Sequence, residues 1–248
     1  MIRVISIFLV LIVCVLPACA EEKDPNPFNM PDSVMALPRK LHAGQPFMGY
    51  PELKPQIKWF AIPPWLAGTW KSNEQRLTRT VDYESGAWYT IPKVEAAVHE
   101  VTFGDLKDAD GQQWYALISP EIFDYQKDRF IDTQNTISVK MLECSAEHVM
   151  IWSRTFHILY NPAGRQIANS YTEESVCDYQ PTTSGRLMCN KYARLYDAYG
   201  DLKMSAYILR TYVLTKQFGQ NNVRAGIELI PSLTSHLQYI GRHDLIAW

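Results

Sequence analysis

Between Trp65 and Phe218 the chain is cut at regular intervals by turn-forming clusters, and this punctuation constrains the fold more than any other feature of the sequence. Glu84-Ser85-Gly86, Asp108-Ala109-Asp110-Gly111, the surroundings of Asp128, Ser145-Ala146-Glu147, Asn161-Pro162-Ala163-Gly164, Thr183-Ser184-Gly185 and Tyr199-Gly200-Asp201 are rich in residues that accept turn dihedrals or bond their own backbone. The segments between them include Gln113 to Ile118, Thr136 to Leu142, His148 to Tyr160, Ile167 to Val176, Leu187 to Leu195 and Met204 to Phe218, all rich in β-branched and aromatic residues. Ile137, Val139 and Met141 alternate with Ser138 and Lys140, the period of a strand buried on one face. Seven turns separate eight strands, and short links between consecutive strands make an antiparallel meander. Such a meander removes its exposed edges by closing on itself. The expected architecture is all-β, an eight-stranded antiparallel up-and-down barrel over residues 65–218 with room inside for side chains or one small ligand.

The flanks read differently. Residues 1–20 have the layout of a signal peptide: Arg3, an apolar run from Val4 to Leu16, and Ala18-Cys19-Ala20 before the charged Glu21-Glu22-Lys23-Asp24. The run falls short of the about 20 residues that a membrane span needs, so cleavage after Ala20 and a periplasmic or secreted product are expected. Leu16-Pro17-Ala18-Cys19 also resembles a bacterial lipobox, which would make the chain an outer-membrane lipoprotein through Cys19, and membrane contact is expected only in that case. Residues 21–64 form an arm holding nine of the fifteen prolines, extended because proline fixes φ and removes a donor. Its aromatic and Met residues predict that the part from about Phe47 packs on the barrel; an arm free to bind a partner is the alternative. In residues 219–248, Asn221 or Asn222 can cap a short helix running to Ile230 and ended by Pro231, with a second helical piece over Ser232 to Ile240.

The hydrophobic share of 47% and charged share of 20% are those of an ordinary globular protein, and about 228 residues after cleavage suit one core. The net charge is −2 with the basic residues scattered, so no stripe is offered to nucleic acid. Removing the leader reduces five cysteines to Cys144, Cys177 and Cys189. Cys177 and Cys189 flank a turn-like segment and can meet across a hairpin, where a disulfide closing such a loop contributes on the order of 3 kcal/mol. A reactive thiol or metal-binding pair is the alternative, and Cys144 is expected buried as a small hydrophobe.

Pro63-Pro64-Trp65-Leu66-Ala67-Gly68-Thr69-Trp70 places a Gly-x-Trp at the entry to the first strand and so resembles the opening of a lipocalin-type barrel. The family's later Thr-Asp-Tyr is represented only by Asp178-Tyr179. The resemblance implies that a basic residue on the last strand, here Arg210, stacks on Trp70, a cation–π contact of about 1 kcal/mol. It also implies a ligand cup, for which Trp70, Trp114, Trp152, Arg154, Arg210 and Tyr212 are the candidate binding residues. Arg154 and Arg210 stand where the apolar alternation of their strands continues, so each is expected inside and in need of a partner, either structural or an anionic ligand group.

Catalytic and metal motifs are missing. The six histidines have no metal-ligand spacing, and His148 and His157 fall on opposite faces of one strand. Asp105 to Gly111 only partly matches a calcium loop, there is no Gly-x-Ser-x-Gly or phosphate-binding glycine loop, and the adjacent Glu173 and Glu174 must face opposite ways. No cofactor is expected. Three readings follow: an exported non-enzymatic protein that binds a small apolar or amphipathic molecule; a cell-envelope assembly protein with a filled core and a protein partner; and a lyase or isomerase built on the same barrel.

Overall fold

The computed structural model describes residues 26–50, 54–90, 93–127 and 129–246. The leader with Cys19, and Asp128 and Trp248, lie outside the described residues. In chain order the strands are β1 (Gln56–Ile62), β2 (Gly68–Asp82), β3 (Trp88–Tyr89), β4 (Lys93–Phe103), β5 (Leu106–Lys107), β6 (Gln113–Ser119), β7 (Glu121–Lys127), β8 (Phe130–Cys144), β9 (Val149–Tyr160), β10 (Ile167–Pro181), β11 (Leu187–Tyr196), β12 (Leu202–Gln217), β13 (Val223–Arg224) and β14 (Ile227–Glu228). One α-helix, α1 (Leu229–Tyr239), follows.

The main sheet is an antiparallel meander of eight long strands in the order β4-β2-β12-β11-β10-β9-β8-β7, with β3 extending it beside β2. It is strongly curled. The last long strand returns to the first, Leu214 opposite Trp70, as an up-and-down barrel requires. Closure nevertheless fails at one seam, between β4 and β7, and the sheet is an open half-barrel rather than the closed barrel expected. The chain between those two strands builds something else: β5 and β6 leave the curl and join β1 in a separate sheet ordered β1-β6-β5. Pro120 stands at the junction of β6 and β7, where its fixed φ and missing N–H interrupt the ladder.

Gly68 explains why the Gly-x-Trp position cannot hold a larger residue. Its φ is +136°, and a Cβ there would lie 2.7 Å from Leu214 Cδ1 and 2.8 Å from the Lys216 carbonyl oxygen. The bare backbone lets β12 cross β2 at the closed end of the curl.

That end is filled by Ile62, Leu66, Trp70, Phe103, Val149, Tyr179, Leu187 and Tyr212. Trp65 donates to the Ala146 carbonyl at 2.8 Å and so ties the β1–β2 link to the β8–β9 turn. A second cluster joins Trp59, Leu106, Trp114 and Ile118 of the small sheet to Leu229, Leu233 and Leu237, one face of α1 at i, i+4, i+8. Pro231 lies inside this helix, at its third residue, rather than ending it. In the first turn the N–H it lacks has no intrahelical acceptor anyway. Residues 223–228, expected as helix, are the β13–β14 hairpin.

The arm is docked well before Phe47. Met30 packs with Val176 and Tyr192, and Leu37, Leu41 and Phe47 pack with Ile158 and Ile167, all on the convex face of the main sheet. Val34 N–H donates to the Gly200 carbonyl and Leu37 N–H to that of Ala198, both at 2.9 Å. Gly200, at φ +92°, makes the approach possible, since a Cβ there would lie 2.0 Å from the Val34 carbonyl oxygen. The arm's last part, Gln56–Ile62, is a strand that sequence punctuation did not reveal.

Candidate binding site on the concave face

Strand alternation sorts the side chains of β9 to β12 onto two faces. On β10 the odd-numbered Tyr171, Glu173, Ser175, Cys177 and Tyr179 share the concave face with His157, Thr155, Ser153 and Ile151 of β9 and with Lys191 and Cys189 of β11. The face has two zones. Its floor is the apolar fill around Trp70, Tyr179, Leu187 and Tyr212, rimmed by the partly buried Met141 and Ile151. Beyond the floor, toward the unclosed part of the curl, the wall is polar.

The wall is organised by paired groups. Lys191 Nζ reaches Glu173 at 2.7 Å, with the two side chains 13% and 18% exposed. Burial raises the Glu173 carboxyl, but Lys191, His157 and the Ser175 hydroxyl outweigh it and hold the group at about 2. Arg210 donates from Nη2 to Gln75 Oε1 at 2.8 Å, while its buried Nε has no hydrogen-bond partner among the described residues. His157 is stacked on Tyr171, ring centroids 4.4 Å apart, and its Nδ1 lies 3.3 Å from Asp132 Oδ2. Burial raises Asp132, yet its hydrogen bond with His157 and the charge there bring it below the usual carboxylate range. Burial, with Arg210 and Lys191 nearby, drives His99 on β4 down to about 4, so it is neutral near pH 7. Two cations and a buried N–H without an acceptor thus lie on one side of an apolar floor.

The expected site residues do not form one site. Trp70, Arg210 and Tyr212 share the concave face. Arg210 does not stack on Trp70: Trp70 faces Leu214, four residues and roughly 13 Å along the strand from Arg210. Trp70 instead donates from Nε1 to the Leu66 carbonyl at 2.7 Å. Trp152 and Arg154 are on the convex face, where Trp152 packs near Val176 and Tyr192 and Arg154 Nε donates to Glu174 at 2.6 Å. The alternation on β9 was right and its direction wrong, because the docked arm makes the convex face a second interior. Trp114 belongs to the small sheet, its Nε1 donating to Asp108 at 2.9 Å.

The cysteines also differ from expectation. Cys177 and Cys189 are free thiols. The register sets Cys177 opposite Lys191 and Tyr179 opposite Cys189, so the two cysteines are diagonal rather than facing neighbours. Diagonal positions stand about 7–8 Å apart, beyond the roughly 4.4–6.8 Å of ordinary disulfides. Cys144 is exposed, its Sγ 3.4 Å from the Ala61 carbonyl, because β8 runs to the rim before turning.

Lys191, Asp132 and Gln75 were not picked out from the sequence, where Glu173 was weighed only as half of an acid pair and His99 and His157 only as metal ligands. The available signal was parity, since Tyr171, Glu173, Ser175 and Cys177 lie two apart on one strand. The partial calcium loop resolves as framework, with Asp105 bonded to Arg224 at 2.9 Å and to the Ala116 N–H at 2.8 Å. Among the described residues no group of three or more His, Cys, Asp or Glu is arranged to hold a metal ion. The chain matches no protein-family model, no curated protein and no solved structure.

Proposed function

We propose that this protein is an exported, non-enzymatic binder of a small amphipathic molecule. The apolar part of the ligand rests on the rim of Met141 and Ile151, and its anionic group takes the Nε hydrogen of Arg210 beside Lys191. The carrying observation is that unsatisfied buried donor above a filled apolar floor. An apolar surface with a few convergent polar groups is the usual make-up of a small-molecule site. The return of β12 to β2 beside Trp70 supports the lipocalin-type reading of the layout, and the leader-like residues 1–20 support export to the periplasm or beyond.

Fluorescence titration with an anilinonaphthalene sulfonate dye, competed by a long-chain carboxylate, tests the reading. Saturable, competed binding is expected, and Arg210→Ala weakens it about tenfold, the loss of one charge-assisted hydrogen bond. Absence of dye binding, together with native mass spectra of the source-purified protein that contain no bound small molecule, overturns it.

A second reading, an envelope interaction protein, is favoured by β7. Among the described residues this edge strand pairs only with β8, and Ile122, Phe123 and Tyr125 on it are exposed. Such an edge is a template for a partner's strand. Co-purification of a protein partner that is lost in Phe123→Lys would support this reading.

A further inference from the structure

We infer that Asp132, flanked by Tyr125 and by the stacked rings of His157 and Tyr171, forms a second binding site on the concave face, one that takes a protonated alkylamine by its ammonium group. Three observations carry it. The first is an acceptor without a donor. Asp132 is 7% exposed, and its two carboxylate oxygens differ. Oδ2 accepts from Gln134 Nε2 at 3.0 Å and lies 3.3 Å from His157 Nδ1, while the buried Oδ1 has no hydrogen-bond partner among the described residues. Buried polar atoms are nearly always paired, so a carboxylate oxygen left alone on a cleft wall marks the place of an outside donor.

The second observation is what surrounds that oxygen. Register sets Tyr125 of β7 directly opposite Asp132 of β8, where facing side chains stand about 5 Å apart at Cβ. On the other flank β9 carries His157, stacked on Tyr171 of β10 with ring planes 8° apart. Aromatic rings thus lie on both sides of the carboxylate, and an ammonium gains from such rings as well as from the negative charge. The third observation is access. β7 ends the main sheet at the open seam, and Phe123 and Tyr125, on its concave side, are 43% and 50% exposed. An amine reaches Asp132 past Tyr125, from the side on which the sheet has no further strand, and its apolar substituent meets Phe123.

The charges agree with the geometry. Burial raises Asp132, but its hydrogen bond with His157, the charge there and Gln134 hold it below the usual carboxylate range, so it is ionised near pH 7. Lys127, exposed at the end of β7, lowers it further without forming an ion pair with it among the described residues. Glu173, two residues beyond Tyr171, is already bonded to Lys191. The site is separate from the Arg210 end of the cleft. Through the ladder Asp132 is level with Asn169 of β10 and Arg210 with Tyr179, roughly 33 Å along the strand, so one small molecule does not touch both.

Isothermal titration calorimetry of the full chain with n-hexylammonium, competed by n-hexanol, tests the site. The amine is expected to bind at one site per chain, and the alcohol, which brings no charge, should compete at least about tenfold less well. Asp132→Asn should weaken the amine about tenfold and Tyr125→Ala about threefold. Circular dichroism shows which variants fold, and Tyr125→Ala, at a half-exposed position, decides even if Asp132→Asn does not. Absence of saturable amine binding, equal competition by n-hexanol, or wild-type affinity in either folded variant overturns the inference. The amphiphile reading is tested apart from it: amine binding without dye binding sinks that reading alone, and dye binding without amine binding sinks this one.

Discussion

Glu173 and Glu174 are consecutive residues of one strand, and they end on opposite faces of it in two different chemical situations. Glu174 points to the convex face, 1% exposed, with Arg154 bonded to it and Arg194 its register partner on β11. There the arm lies over the sheet, and Arg194 is bound to the carbonyls of Met30 and Pro31 and to Asp32. Glu173 points to the concave face, where its ion pair with Lys191 retains some contact with water. On the convex face Arg194 is locked by the chain's own N-terminal residues, while Glu174 Oε2 has no hydrogen-bond partner among the described residues. The concave polar groups lie beyond the end that Ile62 of the arm helps to fill. Each face leaves a buried polar atom without a partner among the described residues, an acceptor at Glu174 Oε2 and a donor at Arg210 Nε, and only the donor suits an anionic group.

The sharpest way to break this contrast is to neutralise the two glutamates separately. Glu174→Gln removes a carboxylate that is 1% exposed and bonded to the partly exposed Arg154, and is expected to cost about 1–3 kcal/mol. Glu173→Gln should cost less, because its carboxylate is 18% exposed where that of Glu174 is 1% exposed. Urea unfolding followed by tryptophan fluorescence measures both, and equal losses would erase the distinction between the faces. A comparable effect should follow Gly200→Ala. The added methyl collides with Val34 at a positive φ, so a loss of about 1–3 kcal/mol is expected. Limited proteolysis should then cut within residues 26–50 while the main sheet stays protected. Uniform resistance like that of the wild type would mean that the arm does not depend on this approach.

The smallest expected effect is in acid. His99, held at about 4, binds a proton in the unfolded chain from about pH 6.5 downward but not in the folded one, so its contribution is present above pH 6.5 and declines toward pH 4. Glu173, held at about 2, extends the loss through the next window, from its ordinary 4.5 down to about 2. Both slopes have the same sign: the unfolded state binds more protons, so stability rises with pH. Thermal melts between pH 7 and pH 4 should therefore move down, and His99→Gln should flatten that limb. A pH dependence unchanged by His99→Gln would place His99 in water rather than against Arg210 and Lys191.

Much of the fold was legible because strands write their period and their turns directly into the sequence. Six of the seven turn clusters connect strands in the structure, and the seventh surrounds Asp128, outside the described residues. The opposition of Glu173 to Glu174 followed from pleating alone. Less of the candidate site was legible. Alternation says which residues share a face but not which face is concave, so Arg154 and Arg210 read alike although they end on opposite sides of the sheet. Likewise, the hairpin spacing of Cys177 and Cys189 did not reveal a diagonal register, which depends on how many residues the turn at Thr182–Arg186 takes up.

The sequence by itself determined the strands β8 to β12, their antiparallel succession and the glycine at the entry to β2, because these depend on local dihedrals and on a period of two. Tertiary structure alone decided that the curl stays open between β4 and β7, that the arm turns the convex face into an interior, and that Arg210 and Lys191 lie beside an apolar floor. Those outcomes depend on contacts between residues far apart in the chain, and such contacts leave no periodic trace in any one segment.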